Sequence, residues 1–266
     1  MKSHSPRPWR LDEINLAMVR EASFQVAILP FGATEPHNLH LPYGTDCYEA
    51  EWIADTIAQE ANQQGAKCVV LPTIPYGTET NMQEFPLAMN LQPTTLLAML
   101  RDLVASLTKS GISKVVLLNS HGGNDLKPFL RELHGTTPAH LFLCNWFQMV
   151  RDVSSKIFEH PDDHAGEMET SMILAYRPEL VARHMDGSFT ADEGQARPMR
   201  MAALQHGWVS ITRPWHLLTT QSGCGNPHSA TSDKAHQVME VVRARLVPFL
   251  LELSQSPLDS NFPFVS

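Results

Sequence analysis

Cysteine is too scarce and too scattered to organise this protein: there are four in 266 residues. Cys47, Cys68, Cys144 and Cys224 form no C-x-x-C pair. That argues against a cysteine zinc site or a disulfide framework and fits reduced thiols in a cytosol. Positive charge is also short, with 20 Lys and Arg against 28 Asp and Glu and a formal charge of -8. Nucleic acids and anionic membranes attract basic patches, so neither is expected as a partner. No apolar run approaches the ~18 residues of a membrane span, and the opening "MKSHSPRPWRLDEINL" has no apolar signal core. The G-x-x-x-x-G-K-[ST] phosphate loop and the G-x-S-x-G nucleophile context are missing. Repeats, low-complexity tracts and an obvious linker are missing as well. The expectation is one cytoplasmic domain over residues 1–266 that acts on a small molecule.

The chain is 43% apolar, enough for a substantial core. Its apolar segments alternate with helical periodicity. Strands are expected over 24–32, 66–77, 113–124 and 140–147. Helices are expected over 46–64 (Thr45 as cap, Gly65 as stop), 92–111, about 125–134, from Asp163 onward, and about 230–254. Residues 184–230 show no clear period. Continuously apolar strands between helices predict a three-layer α/β domain, a mainly parallel sheet flanked by helices. In such sheets the ligand site lies at the carboxyl ends of the strands. Glu35 and His37, Thr78 and Glu79, His121, and Asn145 with Trp146 all follow strand ends.

Three segments carry chemistry. "GATEPHNLHLPYGTD" (32–46) places Glu35 and His37 two apart on a segment that Pro36 biases to extended backbone, so both can face one point. Asp46 sits at a helix start, where a carboxylate is favoured. A mixed carboxylate and imidazole set suits zinc, manganese or iron(II). Taken singly, these residues read equally as a cap, a turn acid and a surface histidine. "NSHGGND" puts His121 after Val115-Val116-Leu117-Leu118, with Gly122 and Gly123 allowing close backbone approach. A plain strand-to-helix turn or an anion nest is the alternative there. "DDHAGEMETS" spaces His164 and Glu167 three apart, one helical face if the helix begins at Asp163, and directs Glu169 elsewhere. A first-turn acid at Glu167 that only serves the helix dipole is the plainer reading.

Together the three segments resemble the creatininase (creatinine amidohydrolase) family. The carrying residues are "LPFGATEPHNLHLPYGTD", "NSHGGN" and "HAGEMETS", in the family's order and at similar separations. The resemblance implies a single α/β domain, two divalent metal ions (zinc or manganese, iron(II) possible), hydrolysis of a C–N bond in a cyclic or linear amide, and a homo-oligomer, often a hexamer. It implies metal ligands at Glu35, His37, Asp46 and His121, with Asp46 as the bridge. In creatininase itself a further acidic ligand lies two residues after the histidine. Here that position is Gly123, and Glu167 is the expected replacement. His164 matches the family's proton-transfer histidine, and Glu169 is expected beside it, orienting a ligand. Thr78, Trp146 and the Gly122 and Gly123 amides are expected near substrate, with Trp208, Trp215 and His216 as further pocket candidates. Three departures stand out: Pro36-His37-Asn38 for Q-H-G, Ser120 for the usual glycine, and "EFPLAMNLQP" where relatives read F-P-G-T.

Two ions would supply hydroxide at neutral pH and polarise a carbonyl. Two other classes remain open: a metal enzyme acting on a non-amide such as a keto-sugar, by hydrolysis or isomerisation, and a non-catalytic metal-binding homologue.

Overall fold

The computed structural model describes residues 5–264. Its helices are α1 (Leu16–Ala22), α2 (Thr45–Gln63), α3 (Pro93–Lys109), α4 (Lys127–Leu133), α5 (Trp146–Met149), α6 (Arg151–Ile157), α7 (Glu167–Tyr176), α8 (Ala202–Gln205), α9 (Trp215–Leu218) and α10 (Ser232–Gln255). Its strands are β1 (Val26–Phe31), β2 (Cys68–Val70), β3 (Lys114–Asn119), β4 (His140–Asn145), β5 (Asp162–His164) and β6 (Cys224–Gly225). The first four strands form one parallel sheet in the order β2-β1-β3-β4.

Alternation along each strand divides the core into two. Val26 and Ile28 of β1, with Val116 and Leu118 of β3, face a cluster completed by α2, α7 and α10. Ala27, Leu29 and Phe31, with Val115 and Leu117, face α3 and α4. Both faces are covered, which is why β1 and β3 are apolar almost without a break. In α10, Ala235, Val238, Met239, Val242, Leu246, Val247, Leu250 and Leu253 make the buried stripe that seats the helix on the sheet. This is the expected α/β architecture, a parallel sheet flanked by helices. Among the described residues no helix is long and apolar enough to cross a membrane.

Register positions the site. β1 pairs with β3 from Val26↔Lys114 to Phe31↔Asn119, and β3 with β4 from Lys114↔His140 to Asn119↔Asn145. Three strands therefore end level, and the segments after them share one rim.

Two elements differ from expectation. The second strand is only Cys68–Val70, because Pro72 and Pro75 have no N–H to donate to a ladder. Beyond it the chain touches the sheet at one bridge, Phe31↔Ile74. The helix expected from Asp163 begins instead at Glu167, with Gly166 as its cap. Residues 162–164 are extended and pair antiparallel with β6. His164 is therefore a strand residue, and the helical phase assumed for Glu167 and Glu169 does not hold.

Candidate metal centre

Glu35 and His37 leave the end of β1, Asp46 lies in the first turn of α2, His121 follows β3, and Glu169 comes from α7. Glu35, His37, Asp46 and His121 are all at most 5% exposed. Asn38, one of the departures from the family pattern noted above, holds φ 56. Asparagine is among the residues that tolerate the left-handed region, so this departure keeps the backbone turn.

The ligand atoms fall into two sets. Glu35, Asp46 and His121 form one; His37, Asp46 and Glu169 form the other. His121 Nδ1 lies 2.9 Å from Glu35 Oε1 and 3.0 Å from Asp46 Oδ2. His37 Nε2 lies 3.1 Å from Asp46 Oδ1 and 3.9 Å from Glu169 Oε2. Two ligand atoms on one tetrahedral zinc, with bonds near ~2.1 Å, sit about 3.4 Å apart. The observed separations bracket that figure, and Asp46 turns one oxygen to each set. A third grouping, Glu35, His37 and His164, overlaps these.

The imidazoles are already arranged as ligands. His37 Nδ1 meets the Glu35 carbonyl at 3.0 Å, His121 Nε2 the Thr78 carbonyl at 3.3 Å, and His164 Nε2 the Pro36 carbonyl at 2.8 Å. A carbonyl only accepts, so each of these nitrogens carries the N–H when the ring is neutral. The other nitrogen of each ring then faces the cluster bare, as metal ligation requires.

The electrostatics point the same way. Asp46 Oδ2 is buried and has no hydrogen-bond partner among the described residues. Burial, together with Glu79 and Asp46, pushes the Glu35 carboxyl well above the usual range despite the opposing pull of His121. Burial alone would lower His37 and His121, but their carboxylate neighbours raise both well above an ordinary imidazole. Burial opposes the Asp46 charge, yet His37 and His121 hold its carboxyl below the usual range. The cluster thus recruits positive charge, and divalent cations would displace those ring protons.

Glu167 does not join the cluster. Its carboxylate accepts from the backbone N–H of Glu159 at 2.8 Å and of His160 at 3.0 Å, and its other oxygen pairs with the Lys234 ammonium. Glu169 takes the place expected of Glu167. From the third position of α7 it reaches back to the Ala165 N–H, one residue before the cap Gly166, and its Oε2 lies 3.9 Å from His37 Nε2. Position 123 does not accommodate a side chain without rearrangement. A Cβ there would lie 2.3 Å from His121 Nε2 and 2.4 Å from the Thr78 carbonyl.

His164 is buried, with its ring 4.3 Å from that of His37 at a tilt of 39° and edge-on at 5.1 Å to Trp215. Burial and the neighbouring His37 push it down to about 3, so it is neutral at pH 7. Gly122, Gly123, His164 and Trp215 line a cavity of about 270 Å³ beside the ligand sets. A second cavity of about 500 Å³, lined by Trp146 and Gly122 among others, adjoins it through Gly122, Asp163 and Glu169. Thr78 lines neither, and serves through its carbonyl. Trp208 is 77% exposed and His216 is exposed, so neither is at the cavities.

Two buried acids had been given no role in the site, although Glu79 was expected at a strand end. Glu79 lies behind His121, its Oε1 2.7 Å from Nε2 but off the N–H line. Glu49 lies one helical turn after Asp46, and that i, i+3 spacing was the available signal.

The family profile described as Creatininase: Creatinine amidohydrolase matches residues 12–250. A mycofactocin precursor peptide peptidase of Mycobacterium ulcerans (strain Agy99) is 26% identical over 219 residues, 79% of this chain and 78% of that protein. A 3-dehydro-scyllo-inosose hydrolase of Thermotoga maritima is 26% identical over 179 residues, 63% of this chain and 56% of that protein. A crystal structure from Bacteroides fragilis NCTC 9343, provisionally assigned as a creatinine amidohydrolase, is 36% identical with TM-score 0.84, covering 94% of this chain and 98% of that one. A structure described as "Creatininase Mn" shares the fold at 20% identity, with TM-score 0.73 over 94% of this chain and 100% of that one.

Proposed function

Because this chain belongs to the creatininase family, we propose that it is a two-metal hydrolase of a C–N bond in a linear or cyclic amide. One ion would be held by Glu35, Asp46 and His121, the other by His37, Asp46 and Glu169. The observation that carries this reading is Asp46, which turns Oδ1 to His37 and Oδ2 to His121. When bound, two divalent ions supply Lewis acidity and lower the pKa of water toward ~7.

The chain's own groups account for the remaining steps. His164 Nδ1 lies 3.8 Å from Glu35 Oε1 and lines the small cavity. With Nε2–H tied to the Pro36 carbonyl, Nδ1 is the atom free to take a proton from water and pass it to the leaving nitrogen. The backbone amides of Gly122 and Gly123 border the same space and are the donors available to a developing oxyanion. Met82 and Trp215, 1% and 4% exposed, close its apolar side and exclude water.

The test is a substrate panel on protein loaded with zinc or manganese and on stripped protein. Creatinine, a lactam, a formamide and short peptide amides form one arm, and cyclic keto-sugars the other. Metal-dependent turnover in the amide arm, lost in His164→Gln with metal retained, is the expected result. The resemblance to the inosose hydrolase favours a second reading, and turnover confined to the keto-sugar arm would select it. Full metal loading with no turnover in either arm would overturn both.

A further inference from the structure

His121 differs from the other imidazoles of the centre in what stands behind it. The far nitrogens of His37 and His164 meet carbonyls only, those of Glu35 and Pro36. The far nitrogen of His121 meets the Thr78 carbonyl at 3.3 Å and, in addition, lies 2.7 Å from Glu79 Oε1. Glu79 is fully buried, and neither of its carboxyl oxygens has a hydrogen-bond partner among the described residues. A buried carboxylate without donors is costly to fold. Among the described residues the ring of His121 is the one charge partner it has.

The backbone on either side is fixed. The Thr78 N–H donates to Asn124 Oδ1 at 3.0 Å, and the Glu79 N–H to Asn90 Oδ1 at 2.7 Å. Asn124 in turn donates to the Gly32 carbonyl, just beyond β1. Asn90 belongs to "EFPLAMNLQP", one of the stretches that depart from the family pattern. Position 123 contributes by having no side chain. A Cβ there would meet the same ring nitrogen and the same Thr78 oxygen, so glycine leaves that edge of His121 to the carbonyl and the acid.

A carboxylate behind a ligating imidazole fixes the tautomer and orientation of the ring and makes it more basic toward the ion in front. Burial opposes charge on His121, while Glu35 and Glu79 favour it. We propose that Glu79 is a positioning residue of the metal centre: its carboxylate holds the proton on Nε2 of His121, which commits Nδ1 to the ion shared with Glu35 and Asp46 and strengthens that site selectively. The His37 set has no counterpart, because the nitrogen behind His37 meets only a carbonyl. The proposal rests on the two-ion reading above and not on which bond is cleaved.

The experiment reads each ion alone, by zinc titration of the stripped full chain against a competing chelator. His37→Ala keeps the His121 set, and His121→Ala keeps the His37 set. Glu79→Gln preserves shape and removes the charge. Added to His37→Ala it should weaken zinc about tenfold or more, and added to His121→Ala less than about threefold. A merely structural acid would alter the two alike. A second measurement leaves Glu79 in place and covers the case that Glu79→Gln fails to fold. In zinc-loaded wild type with isotope-labelled histidine, the His121 Nε2–H proton should resonate further downfield than the ring N–H protons of His37 and His164, because a charged acceptor draws a proton more strongly than a carbonyl. Unchanged zinc affinity on adding Glu79→Gln to His37→Ala, or equal losses in both backgrounds, would overturn the proposal. So would a His121 N–H no further downfield than the other two. Failure of His37→Ala, with Glu79 intact, to bind zinc tightly would overturn the two-ion reading and this proposal with it.

Discussion

Exchanging Glu167 or Glu169 for glutamine separates two carboxylates that are two residues apart and do different work. Glu167 is fully buried, and its partner Lys234 has a side chain 14% exposed. Glu167→Gln removes the anion and leaves the ammonium with Glu159 Oε1 at 3.0 Å and the Ser229 carbonyl at 2.9 Å. Breaking a buried pair costs about 3–5 kcal/mol. The remaining partners and partial exposure of Lys234 bring the expectation to roughly 2–3 kcal/mol. For a chain of this size that is a fall in Tm of about 4–10 °C. Metal content should not change. Glu169→Gln keeps an oxygen for the Ala165 N–H, so its stability cost should stay under about 1 kcal/mol. It removes an anionic ligand from the His37 set, and affinity there should fall by more than the ~10–100-fold typical of groups that only support a ligand. Elemental analysis after equilibration with limiting zinc, beside thermal unfolding of stripped protein, reads both effects. Loss of an ion in Glu167→Gln, with both ions kept in Glu169→Gln, would refute the reasoning.

Two further outcomes follow from local geometry. Gly123→Ala puts a Cβ 2.3 Å from His121 Nε2 and 2.4 Å from a backbone oxygen. It should cost about 1–3 kcal/mol and weaken the His121 set more than tenfold in a zinc titration; unchanged Tm and affinity would contradict the clash. His40 is held at about 3 by burial and by His37, and its Nδ1 has no hydrogen-bond partner among the described residues. Below its unfolded value of about 6.5, the unfolded chain takes up a proton that the folded chain refuses, so stability falls with pH by at most about 1.4 kcal/mol per unit. Urea unfolding of stripped protein at pH 7 and pH 5 should show His40→Asn losing up to about 2 kcal/mol less than wild type; identical losses would sink this assignment.

How much of this was legible in the sequence depended on which residues sat on regular elements. The level strand ends followed from continuous apolar runs, so the convergence of Glu35, His37, Asp46 and His121 was readable before any coordinates. The choice between Glu167 and Glu169 was not. It turned on where α7 begins, and Asp163 resembles a helix cap until β6 claims its segment as a strand partner, a contact some sixty residues away in sequence. Helical phase counted from Asp163 set Glu167 on the face of His164; His164 is a strand residue, so that shared face does not exist. Thr78 was expected at substrate because it follows a strand, but Pro72 and Pro75 end that strand early and only its carbonyl reaches the site. Nor did local spacing show that the Ser120 hydroxyl, between β3 and His121, would tie Trp146 to Glu49. Those partners lie 26 and 71 residues away in sequence.

Metal stoichiometry in Asp46→Ala bears most directly on the shared centre. Wild type, stripped and reloaded with zinc or manganese, should hold about two tight divalent ions per chain by elemental analysis. Asp46 gives an oxygen to each ligand set, so folded Asp46→Ala should hold neither, whereas His37→Ala should keep the ion bound by Glu35, Asp46 and His121. Two tight ions in Asp46→Ala, or no more than one in wild type, would contradict the bridged two-metal site.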